Sequence, residues 1–218
     1  MNNFNLLGLT VGVGSLVIAG SASAGFTGIE FDALDSGYGI GTTYRIYAAV
    51  DGGEVDAVYG DEFNNLSIEA STSFYQHAFG NHKPPAQALI DAFGSLAYDS
   101  FVSIGRLTST DDNMLDIGID WTSFNAGGSI FTDNGTWFAT PADAQVQAVN
   151  GRVLIAQFTV ADDAEGNAGG VSGVLNLQGK DADLTNWNAD GVEFNTVPAP
   201  GALALLGLAG LASRRRRK

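Results

Sequence analysis

The sequence contains no cysteine, which excludes disulfide bonds, thiol catalysis, cysteine-ligated zinc and iron–sulfur clusters. Basic residues are scarce between Gly25 and Val197, where all 24 acidic residues but only five basic ones lie, a formal charge of −19. Such a surface repels nucleic acid and anionic lipid, so cations and neutral or basic partners suit it better. Solubility outside the cell is the simpler interpretation of the same charge.

Signatures of common catalytic sites are also missing. There is no G-x-S-x-G, P-loop or dinucleotide fingerprint, and Gly170-Val171-Ser172-Gly173 is one residue short of the serine motif. The only histidines, His77 and His82, are five residues apart, which matches no zinc signature, so we interpret them as surface or hydrogen-bonded residues rather than as metal ligands or a base. Asp116 and Asp120 would stand about 13 Å apart on a strand, too far for a glycosidase pair. The sequence predicts no catalytic residue.

Alternation of apolar and polar residues is the main pattern of the chain. Within Met114–Trp121 it predicts one buried face that ends in Trp121, with Asp116 and Asp120 solvated on the other face. Arg152–Val160 is almost continuously apolar, as expected for a strand covered on both faces. Further strands are predicted at Phe26–Leu34, Thr43–Val50, Val55–Tyr59, Leu66–Ala70, Ser73–Ala78, Tyr98–Ile104, Val171–Leu177 and Val192–Asn195.

These short strands, separated by Gly, Asp and Asn turns, predict an all-β fold, an antiparallel β-sandwich for which a jelly roll is one fitting topology. One segment differs. Pro84-Pro85 precedes Leu89, Ile90 and Phe93 at helical spacing, which predicts one short helix that ends near Gly94 and lies across a sandwich edge. We expect a single acidic domain over residues 25–196.

The first 24 residues have the layout of a secretory signal peptide. Leu6–Ala19 is apolar, and Ala22-Ser23-Ala24 forms a small-x-small cleavage site. Cleavage is therefore expected between Ala24 and Gly25, and residues 1–24 would be absent from the mature protein. A first buried strand or helix is the alternative, which the Gly and Ser content of the stretch disfavours.

The last residues, 197–218, consist of a proline-containing motif, a short apolar segment and a basic cluster. The apolar segment Gly201–Ala212 has 12 residues, roughly 18 Å as a helix, whereas a bilayer core of about 30 Å requires about 20 residues. The basic cluster that follows has the character of a membrane stop signal. A permanent anchor is thus marginal, and the layout is typical of a sorting tag.

This tail resembles the PEP-CTERM sorting domain, with Ala199 where that family usually carries Glu. The resemblance assigns the motif to Val197, Pro198, Ala199, Pro200 and Gly201, and the basic tail to Arg214, Arg215, Arg216, Arg217 and Lys218. It implies a transient partner, a membrane-embedded exosortase, which processes the chain near Pro198–Pro200 and removes the hydrophobic sorting helix. The protein would then be exported to the cell surface or extracellular matrix. A plain tail anchor and a buried core helix are the alternatives.

Calcium is the cofactor that the composition favours most, because Asp outnumbers Glu by 18 to 6 and acids cluster in expected turns. The best candidate ligands are Asp162, Asp163 and Glu165, although they do not form an EF-hand loop. Asp and Asn are also common turn formers, which is the competing explanation.

Aromatic residues provide the third functional hypothesis. Trp137 and Trp187 occur in polar, turn-like contexts, so we expect them to be exposed and able to stack on sugar rings, whereas Trp121 is expected in the core. The sequence therefore favours a non-catalytic structural or polysaccharide-binding module. A secreted glycan-active enzyme and a calcium-stabilised adhesin are the alternatives.

Overall fold

The computed structural model describes Val13–Ser15 and residues 25–197, which form two antiparallel sheets. These residues also form two short α-helices, α1 (Gln87–Ala92) and α2 (Thr122–Asn125), and a 3-10 helix at Gly94–Tyr98. The strands are β1 (Val13–Ser15), β2 (Phe26–Asp35), β3 (Thr42–Val50), β4 (Glu54–Gly60), β5 (Leu66–Ala70), β6 (Phe101–Val102), β7 (Leu115–Ile117), β8 (Ile130–Thr132), β9 (Gly135–Phe138), β10 (Arg152–Val160), β11 (Val171–Lys180) and β12 (Asn186–Asn195).

The first sheet has the order β1-β2-β3-β10-β6, and the second is organised around β11. One edge of β11 pairs with β12, and its other edge pairs with β4 and β5 in succession. Beyond these lie β9 and β8, and β7 pairs with β9. The pair β2–β3 is a hairpin within the first sheet, and β11–β12 is a hairpin within the second.

One hydrophobic core lies between the two sheets, as the alternation predicts for a sandwich. Tyr44, Ile46 and Ala48 of β3 are buried on one side of it, and Val58 and Leu177 of the second sheet are buried in the same cluster. Strand β10 is buried from Val153 to Val160, which confirms the expectation of a strand covered on both faces.

The predicted orientation of the Met114–Trp121 strand is wrong. Strand β7 has only three residues, and its Leu115 and Ile117 are 56% and 67% exposed. The carboxylate of Asp116 faces the other way and receives the Trp121 indole N–H at 2.9 Å and the Lys83 ammonium at 2.7 Å. These partners offset the cost of its partial burial, so the polar residue takes the inner side of this strand.

Two other predicted strands are shorter than expected, and two short strands are new. Ser73–Ala78 is irregular apart from a single bridge between Phe74 and Val160, and Tyr98–Ile104 contains only the two residues of β6. The new strands, β8 and β9, are joined by a bend next to the predicted turn at Asn134, but they do not pair with each other: β8 pairs with β5, and β9 pairs with β4 and β7. They have three and four residues, too few for alternation to reveal.

Helix α1 confirms the predicted short helix, but none of its side chains is buried. Leu89 is 40% exposed, and Phe93, directly after the helix, is 42% exposed. An apolar face at helical spacing normally packs on the core. Here it remains at the surface, beside the residues that form the candidate site.

The terminal predictions fall mostly outside the described residues. Strand β1 lies within the predicted signal peptide and pairs with Glu30–Asp32 of β2, so cleavage after Ala24 would leave β2 as an edge strand. The other residues up to Ala24, and residues 198–218 with the predicted sorting helix, are not described. Between Gly25 and Val197 and in β1, no helix is long and apolar enough to cross a membrane.

Candidate functional site

Six aromatic side chains that are exposed or half-buried form a connected layer, which we call the aromatic surface. Neighbouring rings in it are 4.7–6.4 Å apart between centroids. Its two parts meet where the Tyr38 hydroxyl lies against Gly94, next to Phe93. The members are Tyr38, Tyr75, His77, Phe79, Phe93 and Tyr98.

The rings of the aromatic surface all lie outside the regular strands. Tyr38 is in the β2–β3 turn, Phe93 follows α1, and Tyr98 ends the 3-10 helix. Because side chains in irregular segments do not alternate between two faces, they are not directed into the core by strand geometry. Gly94 allows the Tyr38 ring to approach because it has no side chain: a Cβ there would lie 2.3 Å from the Tyr38 hydroxyl oxygen.

A buried carboxylate supports the segment that carries His77 and Phe79. Asp99 is fully buried, and its Oδ1 accepts the backbone N–H of His77 at 2.7 Å. Burial raises the pKa of Asp99 to about 7, and hydrogen bonds from backbone N–H groups offset the effect only in part. A Cβ at Gly80 would lie 1.7 Å from Oδ2, so this segment can approach the carboxyl group only because Gly80 has no side chain.

A groove of about 580 Å³ adjoins the aromatic surface and shares Tyr75 with it. Its polar side chains come from Ser73, Gln76, Asn125 and Asp162. The Gln76 amide donates to the Ser100 carbonyl at 3.2 Å, whereas its Oε1 is buried and has no hydrogen-bond partner among the described residues. Apolar rings beside a few amide and carboxylate groups are the chemistry that recognises a sugar ring, with its apolar C–H face and hydroxyl edge.

The two tryptophans predicted to stack on sugars do not belong to this site. Trp137 is fully buried, and Trp187 is 3% exposed and stacks on Phe26 at 5.8 Å. The expectation that they are exposed is wrong because both lie on regular strands, β9 and β12, where alternation directs them inward. Trp121 is buried in the core, as predicted.

The acidic residues proposed as calcium ligands are separated by their contacts. Asp162 is exposed and lines the groove, and Glu165 is exposed. The Asp163 carboxylate accepts the backbone N–H groups of Glu165 and Asn167 and the Asn167 side-chain amide, at 2.8–3.0 Å. Within residues 25–197, no three His, Asp or Glu side chains are grouped to hold a metal ion. Calcium binding here remains a prediction.

Asp163 is one of several aspartates that stabilise their own turns. In each case a side-chain oxygen accepts a backbone N–H two to four residues later, which is the Asx-turn geometry. This role accounts for much of the excess of Asp over Glu. The others include Asp35, Asp61, Asp120, Asp143 and Asp181.

The two histidines have different environments. His82 stacks on Trp121 with centroids 4.5 Å apart, and its Nε2 is 3.7 Å from Asp116. Burial lowers the pKa of His82 despite the nearby Asp116 carboxylate, so the ring is neutral at pH 7 and packs as an aromatic side chain. His77 instead belongs to the aromatic surface.

Sequence reasoning missed Tyr38, Phe79 and Phe93 as site residues. Their neighbours in the sequence did indicate exposure: Tyr38 lies between Gly37 and Gly39, and Phe79 precedes Gly80. Large rings among glycines, outside alternating segments, indicate exposure better than the polar neighbours of a tryptophan do. Comparison with known proteins adds no candidate: no protein family, curated protein or solved structure matches this chain.

Proposed function

We propose that this protein is exported to the cell surface or extracellular matrix and binds polysaccharide, without catalysis, through the aromatic surface. The observation that carries the proposal is the contact between six accessible rings beside a polar groove. Exposed aromatic area of this kind marks an interaction site on a folded domain. Rings are also the side chains that provide the largest contact area at low conformational cost.

The charge of the domain narrows the class of glycan. With −19 between Gly25 and Val197, a strongly anionic chain would be repelled, whereas neutral or amine-bearing polysaccharides would not. The exposed Asp162 in the groove and the amides of Gln76 and Asn125 are suited to sugar hydroxyl groups. We therefore propose a neutral or weakly cationic polysaccharide as the ligand.

Processing by an exosortase is part of the same proposal and rests on the resemblance of residues 197–218 to the PEP-CTERM domain. The geometry next to the motif is compatible with it. Strand β12 ends at Asn195, whose side chain accepts the Val197 N–H at 2.8 Å, and Val197 itself is 43% exposed. Cleavage near Pro198–Pro200 would thus leave every described strand of the sandwich intact.

The binding proposal is tested with a Phe79→Ala/Phe93→Ala double variant in affinity electrophoresis against gels that contain the host's exopolysaccharide. We expect at least a tenfold loss of affinity, taking as the scale the roughly 1–3 kcal/mol that the stacking of a nucleic-acid base on one aromatic ring contributes. The matched control is Phe63→Ala/Phe131→Ala, which removes two rings that are 84% and 56% exposed elsewhere. Equal retardation of the wild type and the Phe79/Phe93 variant would contradict the proposal.

The export proposal is tested separately by the intact mass of the protein from its native host. We expect a chain that begins at Gly25 and ends near Pro198–Pro200, recovered from the surface or medium fraction. A membrane-bound chain that retains Arg214–Lys218 would identify the tail as a plain anchor and contradict exosortase processing.

A further inference from the structure

A second polar site lies on the outer face of the second sheet and shares no residue with the aromatic surface. It begins with a β-bulge in β4. Val55 pairs with Gly179 and Ala57 with Gln178, so Asp56 is the extra residue of the ladder. Val55 and Val58 both reach the core, and the two residues between them face outward. The bulge therefore directs the Asp56 side chain to a cavity outside the core.

The neighbouring carboxylate, Glu54, is paired with a cation. It is 2% exposed, its Oε1 is 3.1 Å from the Lys180 ammonium, and its Oε2 accepts the Ala142 N–H and the Gln147 side-chain amide. Burial opposes ionisation of Glu54, but Lys180 and these donors outweigh it and lower its pKa. Glu54 and Lys180 thus form an ion pair with no net charge.

Asp56 is compensated less well. It is 5% exposed, and its Oδ1 is buried with no hydrogen-bond partner among the described residues. Burial and then the Glu54 charge raise the pKa of Asp56 to about 6, although Lys180 partly offsets them. A buried carboxylate oxygen without a hydrogen bond is costly, and Lys180 meets only part of this cost. The two carboxylates and one ammonium leave a local charge of −1.

The cavity beside Asp56 has a volume of about 310 Å³, at the lower end of the range for ligand pockets. Two aromatic rings, Tyr59 and Phe138, line it together with Pro141, and Gln178 and Thr136 supply polar groups. The Tyr59 hydroxyl donates to Asp190 at 2.6 Å, which fixes the ring in place. A carboxylate with aromatic walls is the pattern that binds an organic ammonium group.

We propose that this cavity binds the protonated amine of a small ligand or of one amino sugar, with Asp56 as the counter-ion. A metal ion suits the site less well, because it needs several oxygen ligands and the adjacent carboxylate is already paired with Lys180. A neutral sugar would leave the negative charge of the site uncompensated.

The test compares glucosamine with N-acetylglucosamine at pH 7, because acetylation keeps the ring but removes the positive charge. Binding is followed by the shifts of backbone amide NMR signals during titration. We expect saturable shifts at Asp56, Ala57 and Gln178 with glucosamine, and at least tenfold weaker binding of N-acetylglucosamine. Equal binding of the two sugars, or no saturable shift with glucosamine, would overturn the proposal.

Two variants separate the site from general attraction to an acidic surface. Asp56→Asn keeps the shape of the side chain and should abolish saturable glucosamine binding while the protein remains folded, as checked by its thermal transition. Glu69→Gln removes the same charge from an exposed position on the same face and should leave binding unchanged. Equal losses in both variants, or no loss in Asp56→Asn, would refute a specific role for Asp56.

Discussion

The protein contains two clusters of aromatic rings that are alike in spacing and opposite in environment. In the core, the rings of Phe74, Trp121, Phe124, Trp137 and Phe158 lie 5.0–6.2 Å apart between centroids and are almost completely buried. In the aromatic surface the spacing is 4.7–6.4 Å, yet Tyr38 and Phe79 are each 56% exposed.

The segments that carry the rings account for part of the difference between the clusters. Two of the five core rings, Trp137 and Phe158, lie on strands, where alternation and burial agree, whereas Phe124 lies on α2 and the other two lie outside strands and helices. The surface rings lie in turns, after α1 and in the segment above Asp99. Burial of a ring stabilises the fold, whereas an exposed ring contributes little. The core cluster should therefore determine stability and the aromatic surface should determine binding.

The largest expected effect is on stability, from Trp137→Ala in the core cluster. Removal of a fully buried indole leaves a cavity, and we expect a loss of about 3–5 kcal/mol in the free energy of unfolding. Urea denaturation measures it. The matched control is Phe131→Ala, which removes an exposed ring from β8, the strand before β9 in the chain. It should lower the free energy of unfolding by less than about 1 kcal/mol. Similar losses in both variants would remove the distinction between the clusters.

Asp99 lies where the two regions meet, and it makes stability depend on pH. Its pKa is raised to about 7 in the folded protein, so folding favours the protonated form. Stability is then highest at low pH with respect to this group and falls as the pH rises from about 4 through 7. Between pH 5 and 8 we expect a loss of about 1–3 kcal/mol. Asp56 acts in the same direction up to about pH 6.

Urea denaturation at pH 5 and pH 8, for the wild type and Asp99→Asn, isolates this contribution. The variant keeps the Oδ1 acceptor for His77 but cannot ionise, so its stability should change less between the two pH values. The opposite result would be a wild type that becomes more stable between pH 5 and pH 8 relative to Asp99→Asn. It would show that ionisation of the Asp99 carboxylate does not destabilise the folded protein.

Gly80→Ala tests the contact that joins the two regions. The added Cβ would lie 1.7 Å from Asp99 Oδ2, so the segment with His77 and Phe79 must move. We expect a loss of about 1–3 kcal/mol from overpacking, together with weaker polysaccharide binding. In a protein that also carries Asp99→Ala, Gly80→Ala should lower the free energy of unfolding much less, because the clashing carboxylate is gone. A double-mutant cycle measures this difference. Additive losses would mean that the two residues are independent.

The smallest expected effect on stability comes from Phe79→Ala/Phe93→Ala. Because both rings are largely exposed, we expect a change of less than about 1 kcal/mol in the free energy of unfolding. Thermal or urea unfolding of the purified variant provides the value. A loss as large as that of Trp137→Ala would place these rings among the determinants of the fold and weaken their assignment to binding.

The sequence predicts the sandwich better than the site. The apolar pattern is reliable for long strands: the alternating residues Tyr44, Ile46 and Ala48 of β3 are buried, and the continuous apolar run of β10 is buried from Val153 to Val160. The apolar pattern fails for β7, a strand of three residues at the edge of the sheet. There the contacts of Asp116 with Lys83 and Trp121 determine which side chains face inward, and the apolar alternation does not. Short edge strands carry too few residues for pattern to outweigh such tertiary contacts.

The site could not be predicted because it depends on segments that meet only in the fold. Tyr38, Phe79 and Phe93 are far apart in sequence and lie in irregular segments, for which no periodic signal exists. Trp137 and Trp187 lie on strands in which successive side chains point to opposite faces. The rings are therefore buried, and their polar neighbours in the sequence face outward. The bulge at Asp56 is similarly visible only once β4 is paired with β11.

The most direct test of the central claim is saturation transfer in NMR from the host's exopolysaccharide to the ring protons of the protein. The account predicts that transfer is strongest at Tyr38, Phe79 and Phe93 and is absent at Phe63 and Phe131, which are at least as exposed. Transfer that is uniform over all exposed rings, or confined to rings outside the aromatic surface, would contradict it.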